Sequence, residues 1–281
     1  MRVVALTATD ANPRYLECAP YFESFWRAAQ SRNDSIKYVP HIALVRTDDD
    51  TRVGTAESPH VIRIRGDIST AFAAQCIRLV LPHTLDADFV VTSDVDMFPL
   101  DLRVIEAGLD AARSTPGSIV VVRDVLPSGE FPICYTVAAP EVWAKIVSGN
   151  PTEWLEHLWD DPARTEYDGV HGGAGWFTDQ EILFRTITQA EEHGVPVIRL
   201  ADSQTRHRRL DRAHHPLMLG PVWLALVGLG YFTDYHVHFP VGKHRLFLNS
   251  LLRALRFRAR SRSRYFGRNP GLGRGRVHDR R

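Results

Sequence analysis

The most informative part of the chain is Phe89-Val90-Val91-Thr92-Ser93-Asp94-Val95-Asp96-Met97-Phe98-Pro99. It begins as a mostly apolar run, which predicts a short buried strand, and two carboxylates follow at a spacing of i, i+2. Two anions beside an apolar strand end cost free energy unless a cation neutralises them. Because open α/β sheets bind ligands at the carboxyl ends of their strands, this stretch predicts a ligand site. The alternative is a polar turn in which Asp94 caps the helix starting near Leu102.

The residue types of Asp94 and Asp96 also indicate a cofactor. Carboxylates with an open coordination sphere suit Mn²⁺ or Mg²⁺, which are hard cations that can ligate a diphosphate at the same time. Such an ion would offset negative charge on a departing phosphate.

Apolar runs rich in valine and isoleucine recur on both sides of this stretch and alternate with amphipathic helical patterns. Strands are predicted at Val3–Thr7, Tyr38–Val45, Val61–Ile64, Phe89–Thr92, Ser118–Val122, Cys134–Ala138 and Val195–Leu200. Helices are predicted at Tyr15–Gln30, Thr70–Leu81, Leu102–Arg113, Pro140–Val147, Thr152–Trp159 and Asp179–His193. The alternation is typical of an α/β fold in which helices flank a sheet.

Composition and charge exclude several classes of protein. With 281 residues, 44% hydrophobic and 24% charged, the chain has the composition of a globular domain and not of a disordered or fibrous one. Its three cysteines form no CxxC pair, which excludes a cysteine zinc site and suits a reducing compartment. Eleven of the 34 basic residues but one of the 33 acidic residues lie at 253–281, so the body is acidic and no nucleic-acid partner is expected.

The residues around the paired aspartates resemble a known family. Asp94-Val95-Asp96 after an apolar strand resembles the DxD motif of GT-A-type glycosyltransferases, which hold a nucleotide sugar through a divalent metal. The flanks resemble the retaining family 8, the galactosyltransferase- and glycogenin-like group: Arg78-Leu79 and Pro82 precede the strand as in that family's helix. The resemblance implies a GT-A-like (Rossmann-like nucleotide-diphospho-sugar transferase) mixed sheet flanked by helices, over residues 1–250.

The same resemblance implies a set of nucleotide-binding residues. The first strand-to-helix turn of the family contacts the nucleoside, and the matching or adjoining residues here are Thr7, Ala8, Thr9, Asp10 and Tyr15. Asp94, Val95 and Asp96 would contact the diphosphate or its metal. Arg78 would contact the donor sugar or the acidic loop, whereas its alternative is to snorkel from an apolar helix.

Two later segments complete the resemblance. Asp179-Gln180 resembles a segment beside the transferred sugar, although Thr178 and Glu181 also read as a helix capping box. If the enzyme inverts instead of retaining, Asp179 becomes a candidate base. The segment His238 to Lys243 resembles a motif that supplies a third metal ligand and a phosphate-binding lysine, and His236 is the alternative ligand because it lies on the same face of a predicted strand.

These features predict a metal-dependent glycosyltransferase, a retaining hexosyltransferase that moves a sugar from a nucleotide-diphosphate donor, a UDP-hexose, to a hydroxyl of a glycan or lipid-linked acceptor. Such an activity serves polysaccharide or glycolipid synthesis. The alternatives are a nucleotidyltransferase and a non-catalytic, membrane-associated binding module.

Two segments bear on location. Residues 251–281 are predicted to be a basic C-terminal extension. Leucines and aromatic residues alternate with arginines there, which favours binding to an anionic membrane surface, and RNA binding and disorder are the alternatives. Pro216–Phe232 contains no charge, and a buried strand or helix pair is favoured over a membrane span or monotopic insertion. The apolar run before Thr7 is too short for a signal peptide, so we expect a cytoplasmic protein or one peripheral to the inner face of the membrane.

Overall fold

A computed structural model describes residues 1–29, 35–48, 60–124, 129–163, 166–212 and 216–266. The strands are β1 Arg2–Thr9, β2 Lys37–Thr47, β3 His60–Ile64, β4 Phe89–Thr92, β5 Met97–Pro99, β6 Ile119–Val121, β7 Thr136–Ala138, β8 Val197–Arg199, β9 Arg209–Leu210 and β10 Asp234–His236. The helices are α1 Pro13–Leu16, α2 Ala19–Ala28, α3 Thr70–Val80, α4 Arg103–Ser114, α5 Pro140–Ile146, α6 Pro151–Asp160, α7 Thr178–Glu192, α8 Asp202–Thr205, α9 Pro216–Gly228 and α10 Arg245–Phe266.

The main sheet has seven strands in the order β3-β2-β1-β4-β7-β6-β8. Strand β7 runs antiparallel to both its neighbours, and the other pairs are parallel. Helices pack on both faces, so the predicted α/β fold class, a mixed sheet flanked by helices, is confirmed. All seven predicted strands form, because valine and isoleucine runs bury well on both faces of a sheet.

Side chains of β1 alternate between the two faces of this sheet and so join two apolar cores. Val3 and Ala5 pack with α2, α4 and α10 on one face. Val4 and Leu6 pack with α3, α5 and α7 on the other. On the first face, α4 approaches the sheet at Gly108, where a Cβ atom would lie 2.7 Å from a methyl group of Val122.

A second, three-stranded sheet in the order β5-β10-β9 was not predicted as a sheet. Strand β5 follows the paired aspartates directly, and it pairs antiparallel with β10. The acidic loop is therefore anchored at both ends, by β4 of the main sheet before it and by β5 of the small sheet after it.

The predicted helix Tyr15–Gln30 differs from the structure, which has α1 and α2 with a break between them. The side chain of Asn12 caps α1, and Pro20 lies in the first turn of α2. Proline donates no backbone hydrogen bond and is tolerated in a first turn, so the second helix starts there. Gln30 lies outside the described residues.

The uncharged segment predicted as a buried strand or helix pair forms a single helix, α9, with Pro221 inside it, and a turn follows. Val227 of this helix is fully buried against the core that includes α10. Of the helices in the described ranges, none combines the length and the apolar character that crossing a membrane requires.

Helix α10 continues through position 250, where the sequence predicted the domain boundary. Leu251, Leu252 and Leu255 are buried in the core, and Arg258 is paired with Asp101. The first part of the predicted extension is therefore packed against the body of the protein. The rest, 267–281, lies outside the described residues.

Candidate active site

A cavity of about 280 Å³ opens at the carboxyl ends of β1 and β4, two neighbouring parallel strands in the middle of the sheet. Chain connections diverge on the two sides of this pair, which is where sheets of this kind bind ligands. The predicted site residues that line the cavity are Ala8, Thr9, Asp10, Tyr15, Arg78, Asp94, Val95, Asp96, Asp179, Gln180 and His236. Thr7, His238 and Lys243 are not among the lining residues.

The end of β1 forms the first wall. One carboxylate oxygen of Asp10 accepts a hydrogen bond from the backbone N–H of Asn12 at 3.1 Å, and the other accepts one from the hydroxyl of Thr70 at 3.0 Å. Asp10 thus holds the first turn of α3 against β1. Tyr15 is half-buried beside it. Thr7, which lies two residues before the end of β1, is fully buried beneath this wall.

Arg78 is the centre of the site. Its side chain is only 6% exposed, and it donates to the carboxylate of Asp179 at 2.8 Å, to the carboxylate of Asp94 and to the carbonyl of Ser93 at 3.1 Å. The snorkelling alternative is therefore wrong. Of the two contacts predicted for Arg78, the donor sugar or the acidic loop, the structure has the contact with the loop.

Asp94 and Asp179 share the guanidinium of Arg78, but their pKa values shift in opposite directions. Burial opposes the charged form of Asp94, but the charge of Arg78 outweighs it and lowers the pKa of that carboxyl below its ordinary value. The Asp179 side chain is 5% exposed against 41% for Asp94, and burial raises the pKa of Asp179 to about 7. Asp179 therefore exchanges a proton near neutral pH while remaining hydrogen-bonded to Arg78.

Asp179 and Gln180 lie in the first turn of α7 and face the cavity. The predicted capping box is wrong, because Thr178 is already inside the helix and its hydroxyl donates to the carbonyl of Gly175 at 2.7 Å. The helix begins one residue earlier, after Phe177. The N-cap residue Phe177 offers no side-chain acceptor, and within the first turn the carboxylate of Asp179 accepts a hydrogen bond from the backbone N–H of Gln180 at 2.9 Å.

Asp94 has a second partner that the sequence did not reveal. The thiol of Cys134 donates to the other carboxylate oxygen of Asp94 at 3.1 Å, and the Asp94 backbone N–H approaches the same sulfur at 3.1 Å. Burial raises the pKa of the Cys134 thiol, which keeps it protonated and able to donate. Asp94 is therefore oriented from both sides, by Arg78 and by Cys134.

Asp96 is paired with His236. The Oδ2 atom of Asp96 lies 3.3 Å from Nε2 of His236, and the other ring nitrogen of His236 lies 3.3 Å from a carboxylate oxygen of Asp211. Burial disfavours the imidazolium, but the hydrogen bond and charge of Asp96 outweigh it and raise the pKa of His236. A carboxylate on Nδ1 leaves Nε2 directed at Asp96 and the cavity.

His238 and Lys243 occupy other places. The ring of His238 pairs with the hydroxyl of Tyr235 at 2.7 Å, because β10 ends at His236 and the alternation of faces stops there. Lys243 is exposed in a short 3₁₀ turn. Of the two candidate histidines, the structure brings His236 to the paired aspartates.

The last wall comes from residues that sequence reasoning missed. Arg212 and three aromatic side chains, His171, Trp176 and Phe177, line the cavity opposite β1. Arg212 follows β9, whereas the three aromatic side chains lie in or next to a loop whose only sequence signal is its glycines at 172, 173 and 175. At Gly173 a Cβ atom would lie 2.4 Å from the carboxylate of Asp168, which accepts backbone hydrogen bonds across the loop.

The side chains at Asp96 fit a divalent cation in part. Two ligands about 2.1 Å from an ion in octahedral geometry lie about 3 Å apart, close to the 3.3 Å between Asp96 and His236. Within the described part of the chain, no group of three or more His, Cys, Asp and Glu side chains is arranged to hold a metal ion. A cation at Asp96 and His236 would therefore draw its remaining ligands from water or from a bound anion.

Comparison with known proteins gives matches in structure and none in sequence. No protein-family model matches the chain, and no curated protein matches it. The glycosyltransferase GlyE of Streptococcus pneumoniae TIGR4 matches with a TM-score of 0.46 and 13% identity, over 93% of this chain and 64% of that chain. Mouse xyloside xylosyltransferase 1 in its apo form matches with a TM-score of 0.41 and 11% identity, over 85% of this chain and 98% of that chain. This chain thus spans less than two thirds of the length of the GlyE chain.

Proposed function

We propose that the protein is a glycosyltransferase that binds a nucleotide-diphosphate sugar in the cavity at the ends of β1 and β4. The observation that carries the proposal is the meeting, in one cavity, of the end of β1, the Asp94-Val95-Asp96 loop and the first turn of α7. Residues that lie far apart in the sequence converge there with perturbed pKa values, which is typical of an active site. The motif resemblance favours a UDP-hexose donor and retention of configuration.

Charge supports a metal in this reaction. Four aspartates, Asp10, Asp94, Asp96 and Asp179, line the cavity with two arginines and two histidines. A diphosphate entering so acidic a site would be repelled without a further cation. A Mn²⁺ or Mg²⁺ ion held by Asp96 and His236 would supply positive charge to the diphosphate as it leaves. Asp94 would join these ligands by exchanging its pairing with Arg78 for the ion.

The chain's own residues would orient the donor sugar. Asp179 sits beside Arg78 at 2.8 Å, and its raised pKa lets it offer a carboxyl proton or an oxygen to a sugar hydroxyl. Gln180 adds an amide in the same helical turn. In an inverting reaction Asp179 would instead be the base, since a pKa near 7 matches proton abstraction at neutral pH.

Thermal unfolding with UDP tests the proposal. At a UDP concentration of about 100 times its Kd, binding stabilises the folded state by about 2.7 kcal/mol. We expect this stabilisation to require Mn²⁺ or Mg²⁺ and to disappear in Asp96→Ala. The matched control is Asp160→Ala, at an exposed aspartate of α6 far from the cavity, which retains the response. No stabilisation of the wild type by UDP, and no release of UDP from UDP-glucose or UDP-galactose, would contradict the function.

We also propose that the outer face of α10 contacts an anionic membrane, where a lipid-linked acceptor would lie. Leu246 is 85% exposed and Phe257 is 74% exposed, and their spacing of eleven residues places them on one helix face with Arg253. Exposed apolar side chains beside arginines favour an anionic interface. Flotation with phosphatidylcholine vesicles, with and without phosphatidylglycerol, should show binding that needs the anionic lipid and falls in Leu246→Ser/Phe257→Ser. Binding that is unaffected by the double substitution would refute this placement.

A further inference from the structure

Arg212 is a cation in the cavity that the predicted functions do not use. Two arginines line the cavity within the described residues, and they differ in how strongly they are engaged. Arg78 is buried and bound to two carboxylates. Arg212 is 30% exposed, and its contacts with described side chains are long: 3.9 Å to Asp96 and 3.4 Å to the Nε2 atom of His171.

We propose that Arg212 binds the diphosphate of the donor, in the role that the sequence assigned to Lys243. This inference deepens the proposed function and rests on it for the identity of the nucleotide. Lys243 is exposed and does not line the cavity, whereas Arg212 lies between Asp96 and His171 at its wall.

The chemistry of the side chain suits this role. A guanidinium presents its N–H donors as a planar fork that matches two phosphate oxygens, and such charge-assisted pairs are among the stronger hydrogen bonds in proteins. An anion held next to Asp96 through a cation would meet Arg212 directly, because the two side chains are 3.9 Å apart. Arg212 would lose two long contacts and gain a bidentate contact with phosphate, so the free-energy cost of this exchange is small.

Its position also fits the charge of the site. Arg78 is buried and hydrogen-bonded to Asp94 and Asp179, so Arg212 is the more accessible of the two lining guanidiniums in the described chain. Arg212 follows β9 and lies 3.9 Å from Asp96 and 3.4 Å from His171, so it adjoins the pair Asp96 and His236. A diphosphate bound there would contact the cation and the guanidinium together.

Calorimetric titration with three probes tests the inference: UDP, uridine and inorganic pyrophosphate, each with Mn²⁺. We expect Arg212→Ala and Arg212→Gln to weaken UDP and pyrophosphate binding by about 10- to 100-fold and to leave uridine affinity unchanged. Arg212→Lys should recover part of the loss, because the charge remains and the fork does not. The matched control is Arg185→Ala, at an exposed arginine of α7 outside the cavity, with wild-type affinities expected.

The outcomes separate the two proposals. Unchanged UDP and pyrophosphate affinity in both Arg212 variants overturns the inference, as does a loss that appears only in Lys243→Ala. If the wild type binds pyrophosphate through Arg212 but does not bind UDP, the anion site stands and the proposed function fails. If the wild type binds neither probe, both proposals fail. Equal losses for UDP and uridine would also overturn it, because the defect would then not lie at the phosphates.

Discussion

Strand β10 carries an aspartate at one end and a histidine at the other, and the two ends are used differently. Asp234 is 1% exposed and its carboxylate is fully engaged, with Nε2 of His207 at 3.0 Å and the guanidinium of Arg209 at 3.1 Å. His236 faces the cavity and meets Asp96 and Asp211 at 3.3 Å each. The cluster around Asp234 is buried and its contacts are the shorter ones, whereas the cluster around His236 faces the cavity and its contacts are longer. We call them the closed and the open cluster. The same residue types thus stabilise the fold in one place and leave room for a ligand in the other.

The largest expected effect breaks the closed cluster. Asp234→Ala leaves the half-buried guanidinium of Arg209 without this carboxylate and leaves the buried ring of His207 with Asp202 alone. Removing one partner of a buried pair costs about 3–5 kcal/mol. At roughly 2–4 °C per kcal/mol in a domain of this size, the melting temperature should fall by about 10 °C. Calorimetry or circular dichroism melting measures it.

The control for this prediction is a solvent-exposed carboxylate–arginine pair on the protein surface. Asp160 lies 2.6 Å from Arg65, but both side chains are exposed. Exposed pairs contribute little, so Asp160→Ala should melt close to the wild type. If the two variants melted alike, the closed cluster would not have the structural role inferred from its contacts.

The next effect concerns the open cluster. His236→Ala should weaken Mn²⁺-dependent UDP binding by about 10- to 100-fold, and Asp211→Asn, which loosens the imidazole, by about tenfold. The melting temperature without ligand should change far less than in Asp234→Ala. Titration of UDP at fixed Mn²⁺ gives the affinities.

His238→Ala provides the contrast within the same segment. Its ring pairs with Tyr235 and lies away from the lining residues, so its effect on UDP affinity should be smaller than that of His236→Ala. A larger loss in His238→Ala would show that the sequence motif identifies the ligand better than the geometry does.

A further comparison concerns Asp179, which is buried like Asp234 but titrates in the opposite direction. Burial opposes ionisation of Asp234, yet Arg209 and His207 outweigh it and lower its pKa, whereas Asp179 shares Arg78 with Asp94 and its pKa rises to about 7. Between about pH 4 and pH 7 the folded protein keeps a proton on Asp179 that the unfolded chain has lost. This contribution therefore makes the wild type less stable as pH rises through that window.

Asp179→Asn removes this titration. The melting temperature of the variant relative to the wild type should increase between pH 5 and pH 8, by roughly 2–4 °C for each kcal/mol recovered. Asp160→Asn, at an exposed carboxyl with a lowered pKa, should show a constant difference over the same range. A constant difference for Asp179→Asn as well would mean that Asp179 is ionised throughout.

Local pattern predicted most of the main sheet and part of the site. Apolar runs identified the seven strands, because a strand that is buried on both faces consists of several consecutive apolar residues. The small sheet was missed as a sheet, since β5 and β9 have three and two residues and depend on pairing with β10. Motifs indicated Asp94, Asp96, Arg78 and Asp179, and the structure brings all four to one cavity.

Partners that come from distant segments left no such pattern. Cys134 contacts Asp94, Asp211 contacts His236 and Arg212 contacts Asp96. Nothing in the residues next to these three in the sequence marks them as site residues. His236 and His238 share a face in an ideal strand, and only the end of β10 at His236 separates them.

The amino-acid sequence by itself determined the α/β class, the strand that leads into Asp94 and Asp96, and the acidic character of the site, because each depends on the polarity of neighbouring residues. Tertiary structure alone decided which histidine meets Asp96, which carboxylate shares Arg78 and keeps a proton near neutral pH, and that an arginine lines the cavity where a lysine was expected. Those outcomes depend on distances of a few ångströms between segments that are a hundred residues or more apart in the chain. Electrostatic interactions at such distances follow the folded geometry and the local burial.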